Sequence, residues 1–77
     1  DAVTRACVVG ERAFLRAWGG GCNVPAGAHI THDAGHYTIR AVVEGEDGTL
    51  CRFMETGRDP VALGEAASEA LRSAANA

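Results

Sequence analysis

The segment VPAGAHITHDAGHYTIRAVVE, residues 24–44, contains two runs of alternating apolar and polar residues on either side of a short turn. A period of two residues is typical of half-buried β-strands, and two such runs separated by a turn predict an antiparallel hairpin. If His32 pairs with Tyr37, the small apolar residues of both strands lie on one side of the hairpin, and a slip of one residue would lose this agreement. The pairs on the apolar side are Ile30–Ile39, Ala28–Ala41 and Ala26–Val43.

A third strand follows the second turn, residues 46–48, which ends in glycine as a type I turn closing on a left-handed bulge requires. In this register Val43 pairs with Cys51 and Ala41 pairs with Phe53, so Cys51 is predicted to be a small core residue. The opposite face is mixed, and we expect part of it to dock against something else. Its residues are Thr38, Arg40, Val42, Leu50, Arg52 and Met54.

A helix is predicted on each side of these strands. The first is capped by Asp1 or Thr4 and runs to about Trp18, with Gly10 as a tolerated flaw or as a break between two short helices. Its predicted buried stripe comprises Cys7, Val8, Phe14, Leu15 and Trp18. The second helix begins at Asp59-Pro60, a cap followed by proline at the first helical position. Its predicted stripe comprises Leu63, Ala66, Ala67, Ala70, Leu71 and Ala74.

The order of these elements predicts the fold class. A three-stranded antiparallel meander buries one face only if helices cover it, so we expect an α+β, two-layer α-β-β-β-α sandwich with both helices on one face. The 77 residues are expected to form one domain, 1–77. The sequence begins at Asp1 without an initiator methionine, which suggests a piece of a longer soluble protein or the product of precursor processing.

Composition and charge exclude several classes of function. The net charge of −3 lacks the basic stripe that binds phosphate backbones, so no nucleic acid partner is expected. No apolar run has the roughly 18 residues of a membrane span. The three cysteines show no CxxC spacing, which favours reduced thiols in a cytoplasmic protein.

The residues of the hairpins and helices do not predict a complete active site. His29 and His32 point to opposite faces of a strand and His36 lies in the turn, so we expect no metal site. The carboxylates are interpreted as solvated charges or, at Asp59, as a helix cap. We therefore expect no catalytic residue within this chain.

The remaining candidate is Cys22, which lies between Gly19-Gly20-Gly21 and Val24-Pro25. The glycines remove side chains from the loop and allow the first helix to end in a left-handed turn. A cysteine on such a loop is accessible enough to carry a covalent group, with Arg12 or Arg16 as the source of positive charge. The alternative is that Cys22 is a structural residue.

Three stretches resemble one family. ERAFLRAWGGGCNVPAG, residues 11–27, resembles the cofactor-attachment signature of porphobilinogen deaminase, also called hydroxymethylbilane synthase. YTIRAVVEGEDGTL and DPVALGEAASEAL are similar to the sheet and last helix of that enzyme's third, C-terminal domain. The chain departs from the family pattern at Trp18, Asn23 and Ala26.

The resemblance implies that Cys22 binds a dipyrromethane through a thioether. On this primer the enzyme joins four porphobilinogen units with loss of ammonia, and then releases hydroxymethylbilane. The general acid and the arginines that bind substrate carboxylates would belong to two N-terminal domains, so the partners are those domains, porphobilinogen and the growing oligopyrrole. The isolated domain is expected to be inactive, with Cys22 as a free thiol.

Two other classes of protein remain open. Double-stranded RNA-binding domains share the helix, three-strand, helix layout, but they carry a Lys/Arg cluster at the start of the last helix, where residues 59–65 carry only acidic charge. A structural module would bury Cys22 as an inert thiol. Labelling of that thiol under native conditions separates the structural module from the cofactor carrier.

Overall fold

The computed structural model of the protein describes residues 1–19, 25–45 and 47–75. Three strands form one antiparallel sheet in the order β1-β2-β3, and both helices pack on the same face of it. The fold is therefore the predicted α+β sandwich. Its elements are α1 (Ala2–Trp18), β1 (Ala26–Asp33), β2 (His36–Glu44), β3 (Leu50–Gly57) and α2 (Pro60–Ala75).

The predicted register is confirmed in both hairpins. His32 pairs with Tyr37 across the first turn, and every predicted pair on the apolar side is formed. In the second hairpin Ala41 pairs with Phe53 and Val43 with Cys51. The first turn is tight, because Ala34 and Gly35 both have positive φ angles of 51° and 81°, as a two-residue type I′ turn requires. In the second turn Gly48 has the expected positive φ of 85°, while Glu46 lies outside the described residues.

The core lies between the inner face of the sheet and the two helices. Phe14 and Ile39 are completely buried, and Leu71 and Val43 are nearly so. Each helix thus contributes large side chains to a layer that it shares with the apolar residues of β1 and β2. The remaining members of the core are Trp18, Ile30, Ala41, Leu63 and Ala67.

The predicted helix stripes are wrong at several positions. In α1, Val8 and Leu15 are exposed and Gly10 is buried. In α2, Ala70 and Ala74 are exposed, whereas two residues left out of the predicted stripe, Gly64 and Ser68, are buried. The buried faces are rotated because the helices also pack against each other, so each buries a face between the sheet and its neighbour.

Gly10 and Gly64 form this close helix contact. A Cβ at Gly10 would lie 2.7 Å from the Pro60 carbonyl oxygen, and a Cβ at Gly64 would collide with the Gly10 carbonyl oxygen and lie 2.8 Å from the Phe14 nitrogen. These partners are backbone atoms that cannot move aside. Gly10 is therefore required by packing and is not a tolerated flaw, and α1 continues through it without a break.

Both helices begin at the predicted caps. The Asp1 carboxylate accepts a hydrogen bond from the Thr4 amide at 2.8 Å, so Asp1 and not Thr4 caps α1. The Asp59 carboxylate accepts from the Val61 and Ala62 amides at the start of α2. In the described part of the chain, neither helix is long and apolar enough to cross a bilayer.

Candidate functional site

The candidate residue Cys22 lies outside the described residues, but both ends of the segment that contains it are described. Gly19 follows the last residue of α1, and Pro25 precedes the first residue of β1. The contacts of these two ends fix where residues 20–24 begin and end. They are the part of the candidate site that the structure defines.

At the first end, Gly19 has a φ of 100° and a ψ of 130°. Its amide donates to the Leu15 carbonyl at 3.2 Å, so the helical hydrogen-bond pattern continues to this residue. The predicted left-handed closing turn is not formed, because the positive φ is combined with an extended ψ. The chain therefore leaves the helix at once, in a conformation that favours glycine.

Arg72 from α2 caps this end of α1. Its Nη2 atom donates hydrogen bonds to the Ala17 carbonyl and, at 2.7 Å, to the Trp18 carbonyl. The last carbonyls of a helix have no partner within the helix, so a guanidinium placed here satisfies both and interacts well with the helix dipole. This contact could not be predicted from the sequence, because Arg72 is separated from Trp18 by more than 50 residues.

Trp18 also contacts Arg72 through its ring. The guanidinium carbon lies 5.9 Å from the indole centroid, within the range of a cation–π contact. On the core side, the indole stacks on Phe14 with the ring centroids 6.1 Å apart. The indole is 8% exposed, and its Nε1 atom has no hydrogen-bond partner among the described residues. The last turn of α1 is thus held from two sides by packing.

At the second end, the Pro25 carbonyl accepts a hydrogen bond from the Glu44 amide at 3.0 Å. This bond continues the β1–β2 ladder one residue beyond the pair Ala26–Val43. Pro25 itself is exposed. The segment with Cys22 therefore enters the sheet at a fixed point on its surface.

Glu11 joins the two elements that flank this segment. Its carboxylate accepts a hydrogen bond from the Ile30 amide at 2.8 Å and lies 3.6 Å from Nδ1 of His29. Since β1 is an edge strand, this amide points away from β2 and would otherwise lack a partner in the sheet. The interpretation of Glu11 as a solvated charge was wrong. In the sequence, the only sign of a role for Glu11 was its position as the first residue of segment 11–27, which carries the family resemblance.

The other two cysteines pack against the core. Cys7 on α1 and Cys51 on β3 are free thiols, each half-buried beside the buried cluster. The prediction that Cys51 is a small core residue is in agreement with this position. Arg12 and Arg16, the predicted sources of positive charge, are both exposed on α1.

The histidines serve separate local contacts. His32 packs on the Tyr37 ring with the centroids 4.7 Å apart, and Nδ1 of His36 lies 3.2 Å from the Ala34 carbonyl oxygen. Within residues 1–19, 25–45 and 47–75, no three His, Cys, Asp or Glu side chains are grouped as metal ligands.

Asp47 lies in the turn between β2 and β3. The amide and hydroxyl of Thr49 donate to Asp47 and lower the pKa of its carboxyl group. The Asp47 Oδ1 atom accepts from the Thr49 amide at 3.0 Å, so this charge stabilises the β2–β3 turn.

The outer face of the sheet is open in this chain. Val42, Leu50 and Met54 are exposed, with Met54 at 65%. Val42 and Met54 lie beside the exposed Arg40 and Arg52, and together with Ala41 and Phe53 these residues border an open groove of about 480 Å³. Docking of this face against another part of the protein stays a prediction.

The sequence matches a known family over most of its length. The family described as "Porphobilinogen deaminase, C-terminal domain" matches residues 5–73. A porphobilinogen deaminase of Roseiflexus sp. (strain RS-1) is 38% identical over 73 residues, which cover 92% of this chain and 24% of that protein. The porphobilinogen deaminase of Brevibacillus brevis is 42% identical, with the same coverage of 92% and 24%.

A third relative is more similar over a shorter stretch. The porphobilinogen deaminase of Neisseria meningitidis serogroup B is 48% identical over 48 residues, which cover 62% of this chain and 15% of that protein. The chain spans about a quarter of the length of the Roseiflexus and Brevibacillus relatives. By the match over residues 5–73, the chain belongs to the family of porphobilinogen deaminase C-terminal domains.

Proposed function

We propose that residues 1–77 form the third domain of a hydroxymethylbilane synthase and that Cys22 binds the dipyrromethane primer of that enzyme through a thioether. The observation that supports this most directly is the family match over residues 5–73, which includes Cys22. The half-burial of Cys7 and Cys51 against the core also supports it, because core packing accounts for both of these thiols.

The residues present fit such a tether. A cysteine thiol is the nucleophile that forms a thioether, and the segment with Cys22 starts and ends at fixed points. Gly19 is half-buried at the end of α1, and Pro25 is exposed at the start of β1. When bound, the dipyrromethane supplies the pyrrole carbon to which the first porphobilinogen is joined. A covalent tether keeps the growing chain at a high effective concentration beside the catalytic groups.

The catalytic acid and the arginines that bind substrate carboxylates are proposed to lie in two further domains of the full-length protein. The Asp59 carboxylate caps a helix, Asp47 holds a turn and Glu11 joins α1 to β1. Each has a structural partner that explains its position. The partners of this chain are thus those domains, porphobilinogen and the oligopyrrole, in the cytoplasm. The 77-residue chain alone is expected not to consume porphobilinogen.

An RNA-binding function is not favoured. The first twelve residues of α2, 60–71, contain no lysine or arginine, and the first arginine of that helix, Arg72, is engaged at the end of α1. A basic cluster for a phosphate backbone is therefore missing from the start of this helix.

The test is the intact mass of the full-length protein purified from cells that make porphobilinogen. The wild type is expected to carry an added mass equal to two porphobilinogen units less two ammonia molecules, and Cys22→Ser is expected to lack it. Cys7→Ser and Cys51→Ser are the matched controls, and both should retain the added mass. Loss of the added mass in either control but not in Cys22→Ser would contradict the proposal.

A further inference from the structure

We propose that the outer face of the sheet is the surface on which residues 1–77 dock against the two further domains of the full-length protein. Those domains meet it with an apolar surface edged by carboxylates. This inference rests on the proposed function, since the two domains belong to that proposal. It adds the face that is used and the chemistry of the surface that covers it.

The first step is the exposure of apolar side chains on a face that neither helix covers. Val42, Leu50 and Met54 are 36%, 49% and 65% exposed. Val42 and Met54 border the groove of about 480 Å³, and Val42 and Leu50 border a second groove of about 210 Å³ beside Gly27. The two grooves adjoin at Val42, and nothing lies within 4 Å of a Cβ at Gly27. An exposed apolar surface of this kind marks an interaction site.

The second step is the charge at the edges of these grooves. Arg40 pairs with Met54, and Arg52 pairs with Val42, so a guanidinium stands beside each apolar residue. Both arginines are exposed, and among the residues described neither forms an ion pair. A covering surface with carboxylates at its edge would give each guanidinium a hydrogen-bonded counter-charge as water leaves. The face is therefore complementary to an apolar, acidic-edged partner.

The third step decides between a second copy of this chain and another part of the same protein. Two outer faces packed about a two-fold axis would bring four guanidiniums around one apolar patch, and like charges brought together cost free energy. The remainder of the full-length protein has no such conflict. The match covers 24% of the Roseiflexus relative, so about three times as much chain lies outside this domain as within it. A covalent link keeps that chain at a high effective concentration beside the face.

The test measures how well Met54 is protected from peroxide in the full-length protein. Met54 is the only methionine in residues 1–77, so a peptide map identifies its sulfoxide. We expect oxidation in the native protein to be at least roughly tenfold slower than in the same protein unfolded in urea, because a covered thioether is shielded from the oxidant. A native rate within about twofold of the unfolded rate would overturn the proposal, since it is the rate of an exposed methionine.

Charge reversal tests the chemistry of the covering surface. In the double variant Arg40→Glu and Arg52→Glu, carboxylates would face carboxylates, and we expect Met54 oxidation to rise at least roughly fivefold. The double variant Arg40→Lys and Arg52→Lys should keep most of the protection. Arg58→Glu is the matched control, because Arg58 is exposed between β3 and α2 and borders neither groove.

Oxidation of Met54 at the wild-type rate in the Glu double variant would overturn the proposal, because the covering surface would then not be acidic. An equal rise in Arg58→Glu would overturn it too, since the effect would not belong to this face. If the Glu double variant is not recovered folded, Arg52→Glu takes its place, and the same two results have the same meaning.

Two further outcomes would assign the face to a different occupant and overturn the proposal. Protection that is lost on dilution, with a halved mass in light scattering, would assign it to a second copy. Protection that appears only when porphobilinogen is added would assign it to the carboxylates of the substrate. The tether is tested separately, because retention of the added mass by Cys22→Ser would refute it whatever the rate at Met54. An unprotected Met54 in protein that carries the added mass on Cys22 would refute the docking face alone.

Discussion

The two connections between the helices and the sheet are built in different ways. Between β3 and α2, Asp59 accepts from the amides of Val61 and Ala62, and Pro60 starts the helix, so neighbours in sequence determine the whole connection. Between α1 and β1, the first end is held by Arg72 from α2 and the second by Glu44 from β2. The longer connection is thus fixed by distant elements.

This difference matters for function. A connection whose residues are all used in a turn or a helix cap is rigid, and it leaves no segment that can present a functional group. A connection whose two ends are held by distant elements does not depend on its own residues for its end points. The candidate Cys22 lies in this second kind of connection, as expected for a group that must reach a partner outside the domain.

The largest effect is expected at the contact between Gly10 and Gly64, which joins the two helices. Gly64→Ala places a Cβ against the Gly10 carbonyl and the Phe14 amide, so we expect a loss of roughly 2–3 kcal/mol in the free energy of unfolding, despite the better helix propensity of alanine. Urea unfolding followed by the fluorescence of Trp18 measures it. Gly27→Ala is the control, since nothing lies within 4 Å of its Cβ. Equal stabilities of the two variants would contradict the close contact.

The next largest effect distinguishes the connection between α1 and β1 from the connection between β3 and α2. Gly19→Ala forces an alanine into a φ of 100°, which costs about 2 kcal/mol. Gly57→Ala, at the other connection, has no positive φ, and its Cβ would meet Leu63 at an ordinary distance of 3.4 Å. We expect the second variant to stay within about 0.5 kcal/mol of the wild type in urea unfolding. Similar losses of stability in both variants would contradict a special requirement for glycine at position 19.

The local connection is tested by removing its cap. Asp59→Ala leaves the amides of Val61 and Ala62 without their acceptor and is expected to cost about 1 kcal/mol. Asp59→Asn keeps an acceptor oxygen and should retain most of this stability. Thermal unfolding of both variants checks the prediction, and a loss as large in Asp59→Asn would mean that the cap acts through charge and not through hydrogen bonding.

The smallest effect is expected at the turn between β2 and β3. The Thr49 donors lower the pKa of Asp47 in the folded chain, so the charged carboxylate favours folding. This stabilisation is complete above the ordinary aspartate pKa and is lost as the pH falls through the lowered value. The urea midpoint of Asp47→Asn should therefore approach that of the wild type as the pH falls through this range. A difference that grows on acidification would have the wrong sign.

The sequence was sufficient for the sheet but not for the helix faces. Alternation fixes which side of a strand is buried, so the pairs from Ala26–Val43 to Ile30–Ile39 followed from one register. The helices bury a face against each other as well as against the sheet, and the burial of Gly10 and Gly64 depends on how closely their axes approach. Hydrophobic periodicity does not predict the distance between the two helix axes.

The residues of the candidate site likewise differ in how far the sequence could predict them. Cys22 could be singled out from its glycine and proline neighbours and from the family resemblance, since both are local features of the sequence. The contacts of Arg72 and Glu11 could not be predicted, because each side chain acts on a backbone group that folding brings close. Glu11 meets Ile30 across 19 residues, and Arg72 meets Trp18 across 54. A charged side chain off the apolar stripe gives no sign of such a partner.

The most direct test of the thioether at Cys22 is a peptide map of the full-length protein after cleavage on the carboxyl side of arginine. The three cysteines fall in three different peptides, namely residues 6–12 with Cys7, residues 17–40 with Cys22 and residues 41–52 with Cys51. We predict that the dipyrromethane mass is found on the 17–40 peptide and that the other two have unmodified thiols. An unmodified 17–40 peptide in active enzyme, or the added mass on either other peptide, would contradict the account.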